Sequence, residues 1–183
     1  MKTLIVYFSH TRNNEILANY LQNKISCDIL RIEEASRRTG LTILFDLLFD
    51  RTPKLIDHGR PLENYSDFIF VAPIWAAKIA TPLKSFLLKE KDRVKSYSFI
   101  SLCGGVNGQL KKITNELQKI LHRDPKLVKE LWINDLLPPD KINTVKYTSG
   151  YRATVADLDY FKDEIDDFLE RRVVKPIVAH ELR

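Results

Sequence analysis

Three short segments combine the residue types that bind small ligands, and each directly follows an apolar run. The first segment places hydroxyl, imidazole, guanidinium and amide side chains just before a helical pattern: Ser9, His10, Thr11, Arg12, Asn13 and Asn14. A helix start also presents free backbone N–H groups, so the segment has the chemistry of an anion site. A polar helix start that binds no ligand explains this segment equally well when it is taken alone.

The second segment pairs a tryptophan with small residues: Pro73, Ile74, Trp75, Ala76 and Ala77. An indole ring offers a large apolar face against which a planar ligand can stack. The small residues that follow favour a loop facing a ligand over a tryptophan buried in the core, although both interpretations are open.

The third segment is rich in glycine: Cys103, Gly104, Gly105, Val106, Asn107 and Gly108. Glycines allow the backbone to approach a ligand closely, although a simple turn would also use them. Cys103 could be redox-active beside a bound ligand, but a buried thiol at the end of a strand is the commoner case.

The elements around these segments alternate between strand and helix. Apolar and β-branched runs predict five strands, and residues at helical spacing predict four amphipathic helices. The predicted strands are 3–8, 27–32, 68–72, 98–103 and 127–133, and the helices are 16–24, 82–89, 110–121 and 158–169. This order predicts an α/β fold, a doubly wound, open, five-stranded parallel sheet with helices on both faces. We expect residues 1–183 to form a single domain.

The segment Leu41–Asp50 is apolar nearly all round. Such a helix is either buried or forms an interface, and burial is the favoured interpretation. If the helix is not buried, we expect it to cover the ligand site or to contact a second subunit in a homodimer.

The three segments, in this order, resemble the ligand loops of the flavodoxin-like family. The family's phosphate loop reads [ST]-x-T-G-N-T after the first strand; Ser9, Thr11 and Asn13 match it, while Arg12 replaces glycine and Asn14 replaces threonine. The second segment precedes a P-x-x-x-F-L helix beginning at Pro82, as in the family's third loop. The resemblance implies a flavodoxin-like fold and bound FMN. The implied cofactor residues are Ser9, His10, Thr11, Arg12, Asn13, Asn14, Pro73, Ile74, Trp75, Ala76, Ala77, Cys103, Gly104, Gly105 and Asn107.

The resemblance also implies a redox function, as an electron carrier or as an FMN-dependent oxidoreductase. Its partners would be a redox protein or a small acceptor such as a quinone, with NAD(P)H as a candidate donor. One-electron reduction in this family depends on a backbone flip after the third strand that usually needs glycine, and Ala76 and Ala77 stand there. The absence of glycine at these two positions favours two-electron chemistry. The alternative is a flavodoxin-fold module that does not bind FMN and acts as a binding or regulatory partner.

Composition and missing motifs exclude several other classes. The sequence has neither the G-x-G-x-x-G fingerprint of dinucleotide-binding proteins nor the G-x-x-x-x-G-K-[ST] loop of NTPases. It also lacks the Cys-x5-Arg pattern of low-molecular-weight phosphatases and the G-x-S-x-G pattern of α/β-hydrolases. Its net charge of +5 mildly favours an anionic ligand, but the basic residues form no stripe with aromatics, so we expect no nucleic-acid partner. Two cysteines and scattered histidines predict no metal site, and the absence of a long apolar run predicts a cytoplasmic protein without a transmembrane segment.

Overall fold

The computed structural model describes residues 2–36, 39–49 and 51–173. The other residues, including Asp50 at the end of the apolar segment, lie outside the described ranges. The described strands are β1 Thr3–Tyr7, β2 Asp28–Arg31, β3 Asp67–Val71, β4 Ile74–Trp75, β5 Lys78–Ile79, β6 Tyr97–Cys103 and β7 Val128–Trp132. The helices are α1 Asn13–Ile25, α2 Gly40–Phe49, α3 Thr81–Glu90, α4 Gln109–Leu121, α5 Val145–Gly150, α6 Val155–Tyr160 and α7 Lys162–Arg171.

Five of the strands form one parallel sheet in the order β2-β1-β3-β6-β7. Counting only these five strands along the chain, the order is 2-1-3-4-5, which is the flavodoxin-like arrangement. The predicted fold class is therefore confirmed. Each of the five predicted strands is present, with bounds within one residue of the prediction.

Alternating side chains of the strands bury both faces of the sheet. On one face, residues such as Leu4 and Phe70 pack against α3 and α4; on the other, residues such as Ile5 and Ile69 pack against α1, α6 and α7. Burial on both faces explains why the strands read as continuous apolar runs in the sequence. Within the described ranges, the longest helices have 13 residues and are too short to span a bilayer.

The predicted burial of the apolar helix is wrong. Five large side chains of α2, Leu41, Leu44, Phe45, Leu48 and Phe49, are 50–69% exposed. The sheet face beside β1 and β2, which this connection could have covered with a helix, is instead covered by residues 55–65, through Leu55, Leu62 and Tyr65. Because that face is already occupied, α2 lies outside the core.

The predicted helix 158–169 is two helices, α6 and α7, which meet at Phe161. Phe161 has φ −94° and ψ 12°, outside the regular helical range. Leu158, Phe161, Ile165 and Phe168 are nevertheless all completely buried on the same face of the sheet. The apolar spacing therefore continues across the break, which is why periodicity alone did not reveal it.

Candidate functional site

The three ligand-like segments meet at the carboxyl edge of the sheet. They follow β1, β3 and β6, which are neighbours in the sheet and run in the same direction. Strand order reverses beside β1, because the chain goes outward to β2 and then returns to β3. Ligands of open α/β sheets bind in the crevice at such a reversal, so the topology gathers the predicted residues at one place.

The first loop contains a buried hydroxyl without a partner. Ser9 Oγ is inaccessible to solvent and has no hydrogen-bond partner among the described residues, a state it shares there with six other buried side-chain atoms. Leaving a buried hydroxyl unsatisfied costs about 1–3 kcal/mol. This hydroxyl lies in the loop that opens directly onto the N-terminus of α1, where N–H groups favour a negative charge.

Arg12 has the backbone conformation that glycine adopts most easily. Its φ is +70° and it precedes the first residue of α1, with Arg12 O accepting from Ile16 N at 3.0 Å. A non-glycine residue in this region costs about 1–2 kcal/mol. The loop nevertheless adopts the conformation that a glycine at this position would favour. The side chain is 82% exposed and its Nε lies 3.5 Å from Glu15 Oε2.

The two asparagines of the first loop fasten it to distant parts of the chain. Asn14 is buried, donates through Nδ2 to Leu102 O at 3.0 Å and accepts from Leu102 N at 3.0 Å. Asn13 donates through Nδ2 to Tyr151 O at 3.1 Å and accepts from Ala153 N at 3.0 Å. Both amide groups are thus bound to the backbone, so we assign these side chains a positioning role.

The second loop is a tight hairpin formed by β4 and β5. Its two central residues have positive φ, +49° at Ala76 and +58° at Ala77, the pattern of a type I′ turn. The hairpin is fixed at its base, because Ile79 N donates to Glu116 Oε2 at 2.8 Å and Ala80 N donates to Pro73 O at 3.1 Å. Both alanines therefore occupy the left-handed region that glycine adopts most easily.

Trp75 connects the second loop to the first. It is half-buried, and its ring meets Phe8 edge-on at a centroid distance of 5.9 Å and His10 at 6.2 Å. His10 is exposed, while Pro73 and Ile74 are half-buried. The indole ring thus packs partly against the core and partly faces the site. This result lies between the two interpretations that the sequence left open.

The third loop contains one glycine that no other residue can replace without rearrangement. Gly105 has φ +85°, and a Cβ there would lie 2.6 Å from Trp132 Cγ. A Cβ on Gly104 would lie 3.3 Å from Thr148 Oγ1. Both glycines therefore allow close packing within the protein as well as any approach to a ligand. Asn107 is exposed at the tip of this loop.

Cys103 is a buried, protonated thiol. Burial, and secondarily the negative charge of Glu130, raises its pKa to about 12. Its Sγ accepts a hydrogen bond from Gln109 Nε2 at 3.4 Å. A thiol with this pKa is not nucleophilic at neutral pH, which supports the expectation of a structural cysteine.

Sequence reasoning missed a strap, residues 134–153, that borders the site after β7. Asn134 donates to Gly105 O at 3.1 Å and accepts from Asn143 N at 2.9 Å. At the far end of the strap, Tyr151 O accepts a hydrogen bond from Asn13 and Ala153 N donates one to it. No local pattern marks these residues, because their partners in the first loop are about 140 residues away in the chain.

No metal centre competes with this site in the part of the chain that the structure describes. No three histidine, cysteine, aspartate or glutamate side chains there come close enough together to hold an ion. A surface cavity of about 620 Å³ lies beside the end of α3, around His58, Glu90 and Arg93. Glu90 there pairs with Arg93 at 2.5 Å and lies 3.6 Å from His58 Nε2, so its charge is already compensated.

Of the comparisons with known proteins, only the one with solved structures finds matches, and these have a similar fold. No protein-family model matches the sequence, and a search of curated proteins finds no match. Among solved structures, a putative flavoprotein from Bacteroides eggerthii is similar at a TM-score of 0.68 and 16% identity, over 95% of this chain and 99% of that one. A flavoprotein from Lactobacillus acidophilus in complex with FMN is similar at 0.61 and 18% identity, over 70% of this chain and 92% of that one. The Trp repressor binding protein of Bacillus subtilis is similar at 0.54 and 14% identity, over 96% and 99% of the two chains.

Proposed function

We propose that this chain binds FMN at the carboxyl edge of its sheet and uses it in redox chemistry. The observation that carries the proposal is the buried, unpartnered hydroxyl of Ser9 beside the N-terminus of α1. A phosphate oxygen at that position would satisfy both the hydroxyl and the free N–H groups of the helix. The flavoprotein of the same fold that was solved with FMN supports this choice of anion.

Under this proposal, most polar residues of the first loop have a role. The hydroxyls of Ser9 and Thr11, together with backbone N–H groups of α1, hold the phosphate. Arg12 adds an exposed positive charge beside it. Asn13 and Asn14 keep the loop in place through their bonds to the strap and to β6.

The other two loops would hold the ring system, which supplies the electron-carrying chemistry when it is bound. Trp75 offers an aromatic surface on the side of the hairpin. Gly104 and Gly105 let the backbone of the third loop come close on the other side.

We further propose two-electron chemistry, with NAD(P)H as donor and a small acceptor such as a quinone. The support is the rigidity of the hairpin, whose turn lies between the paired residues Trp75 and Lys78 and whose base is bonded to Glu116 and Pro73. A rigid turn hinders the backbone rearrangement on which one-electron reduction depends. A redox protein as the partner is the remaining alternative.

The test is flavin binding by variants of the first loop. Ser9→Ala and Thr11→Ala each remove a hydrogen bond to a charged group worth about 1.5–3 kcal/mol, so FMN should bind roughly tenfold or more weakly, measured by quenching of flavin fluorescence. The affinity for riboflavin, which has no phosphate, should change little. Thr114→Ala, at a half-buried threonine of α4, is the matched control and should leave both affinities unchanged.

Two results would contradict the proposal. Equal losses for FMN and riboflavin would show that the loop does not contact phosphate. If the unaltered protein shows no saturable FMN binding at micromolar concentrations, the chain is instead a flavodoxin-fold module that binds partners without a flavin.

A further inference from the structure

The helix α2 lacks the polar outer side of an ordinary surface helix. Its polar residues Thr42 and Asp46 line a cavity of about 220 Å³ that they share with Pro53 and Lys54. Its large exposed side chains are all leucine or phenylalanine, and we call them the α2 stripe. The stripe consists of Leu41, Leu44, Phe45, Leu48 and Phe49, which are 69%, 51%, 50%, 67% and 66% exposed. A surface helix normally turns its polar side to water, so this arrangement indicates a covered face.

The stripe has the spacing of a helix-packing seam. Its members form two interleaved rows at spacings of three and four residues, Leu41/Leu44/Leu48 and Leu41/Phe45/Phe49, and Phe45 and Phe49 stack at 6.1 Å with their planes 13° apart. Such spacing produces one continuous apolar ridge. The stripe contains no charged residue.

We propose that the α2 stripe is a dimer interface occupied by the same helix of a second copy of this chain. Large side chains at both ends and in the middle make the stripe self-complementary under a twofold axis. In an antiparallel pair, Phe45 lies near the axis and Leu41 packs towards Phe49 of the second copy.

The exposed area is sufficient for such a pair. At the fractions given above, the five side chains expose roughly 600 Å² per copy, and a pair buries up to about 1,200 Å², the lower end of the range for specific interfaces. A single exposed patch of roughly 600 Å² is also at the upper end for a protein that remains monomeric.

The chemistry of the helix favours a second copy over a lipid surface. Helices that lie on membranes carry lysine and arginine on their polar side. The helix α2 contains no basic residue, and its one charged side chain is the aspartate Asp46. Attraction to anionic lipid headgroups therefore has no source within α2.

Sedimentation velocity of the full chain between about 1 and 100 μM tests the interface. We expect a concentration-dependent dimer, and we expect Leu48→Glu to raise its dissociation constant roughly 100-fold or more, because a twofold interface would bury the new charge twice. Leu41→Glu, in the first turn of α2, should act in the same direction. Val155→Glu is the matched control, at an apolar residue of α6 that is 61% exposed, and should leave the dimer unchanged.

Circular dichroism verifies that each variant keeps the fold, which the exposure of the altered residues leads us to expect. A monomer over the whole concentration range would overturn the proposal, as would a dimer that both stripe variants leave intact. A monomer that floats with phosphatidylglycerol vesicles would overturn it in favour of a lipid surface. None of these results depends on flavin binding, so the interface and the proposed function fail or stand separately.

Discussion

At the amino edge of the sheet, a buried carboxylate is bound by three neighbouring side chains, whereas at the carboxyl edge a buried hydroxyl of the first loop has no partner. Asp67, at the start of β3, is 2% exposed and accepts from Arg172 at 2.5 Å, from Lys126 at 2.9 Å and from Ser96 at 2.9 Å. Ser9, at the other edge, has a buried Oγ with no partner among the described residues. Removing one partner from the first arrangement would leave a buried charge uncompensated, and the second arrangement costs stability unless a ligand satisfies it.

Backbone conformation shows the same contrast. Among the described residues, six other than glycine have positive φ. Ser26 and His122 are ordinary helix C-caps. The others lie in the loops and the strap of the carboxyl edge: Arg12, Ala76, Ala77 and Asn143. Strained backbone that persists at one edge of a sheet is typical of a binding site, and this difference favours the same edge as the sequence motifs do.

The largest expected effect is on stability at the amino edge. Arg172→Met removes one member of the buried cluster, and breaking such a pair costs about 3–5 kcal/mol. The adjacent Arg171 pairs with Asp167 in an exposed setting, so Arg171→Met should cost at most about 1 kcal/mol. Urea unfolding measures both, and FMN affinity should not change in either variant. Similar losses of stability in the two variants would show that the buried cluster has no special role.

The next effect links stability to binding at the carboxyl edge. Asn14→Ala leaves the N–H and C=O of Leu102 without their side-chain partner, which costs about 1–3 kcal/mol for each buried group left unsatisfied. Because the same side chain holds the first loop against β6, FMN and riboflavin should both bind more weakly. Asn107→Ala, at the exposed tip of the third loop, should not reduce the free energy of unfolding comparably. A stable Asn14→Ala protein with unchanged flavin affinity would contradict the positioning role.

The sheet could be predicted from the sequence because each strand is marked by consecutive residues within the strand itself. Residues such as Ile5, Ile69 and Ile100 lie in strands buried on both faces, and such strands give continuous apolar runs. The site loops followed from the strand order, since parallel strands end at one edge. Helix α2 shows where local information ends, because its apolar composition does not reveal that residues 55–65 already cover the sheet beside β1 and β2.

The anchoring of the site could not be predicted, because it depends on contacts between distant residues. The amide of Asn14 bonds to a residue 88 positions away, and that of Asn13 to residues 138 and 140 positions away. A polar residue before a helix looks the same whether it binds a ligand or the backbone. Only the folded chain separates Ser9, which has no partner, from Asn13 and Asn14, whose amides are occupied.

The smallest expected effect, and the sharpest, is at the turn of the second loop. Rotating the peptide that joins Ala76 and Ala77 would convert the type I′ turn into type II′. In a type II′ turn only the first central residue keeps positive φ, in a region essentially restricted to glycine. Ala76 therefore blocks the rotation, whereas Ala77 would move to an ordinary negative φ.

Ala76→Gly should permit the rotation that the flavodoxin resemblance associates with one-electron reduction, and Ala77→Gly should not. The change corresponds to about 1–2 kcal/mol, or roughly a five- to thirtyfold shift in the equilibrium between one- and two-electron reduction, since 1.4 kcal/mol is tenfold. Dithionite titration followed by absorbance measures this shift in the FMN-loaded protein. Equal behaviour of the two variants would show that the turn does not control electron number, and substantial one-electron reduction of the unaltered protein would contradict the two-electron proposal.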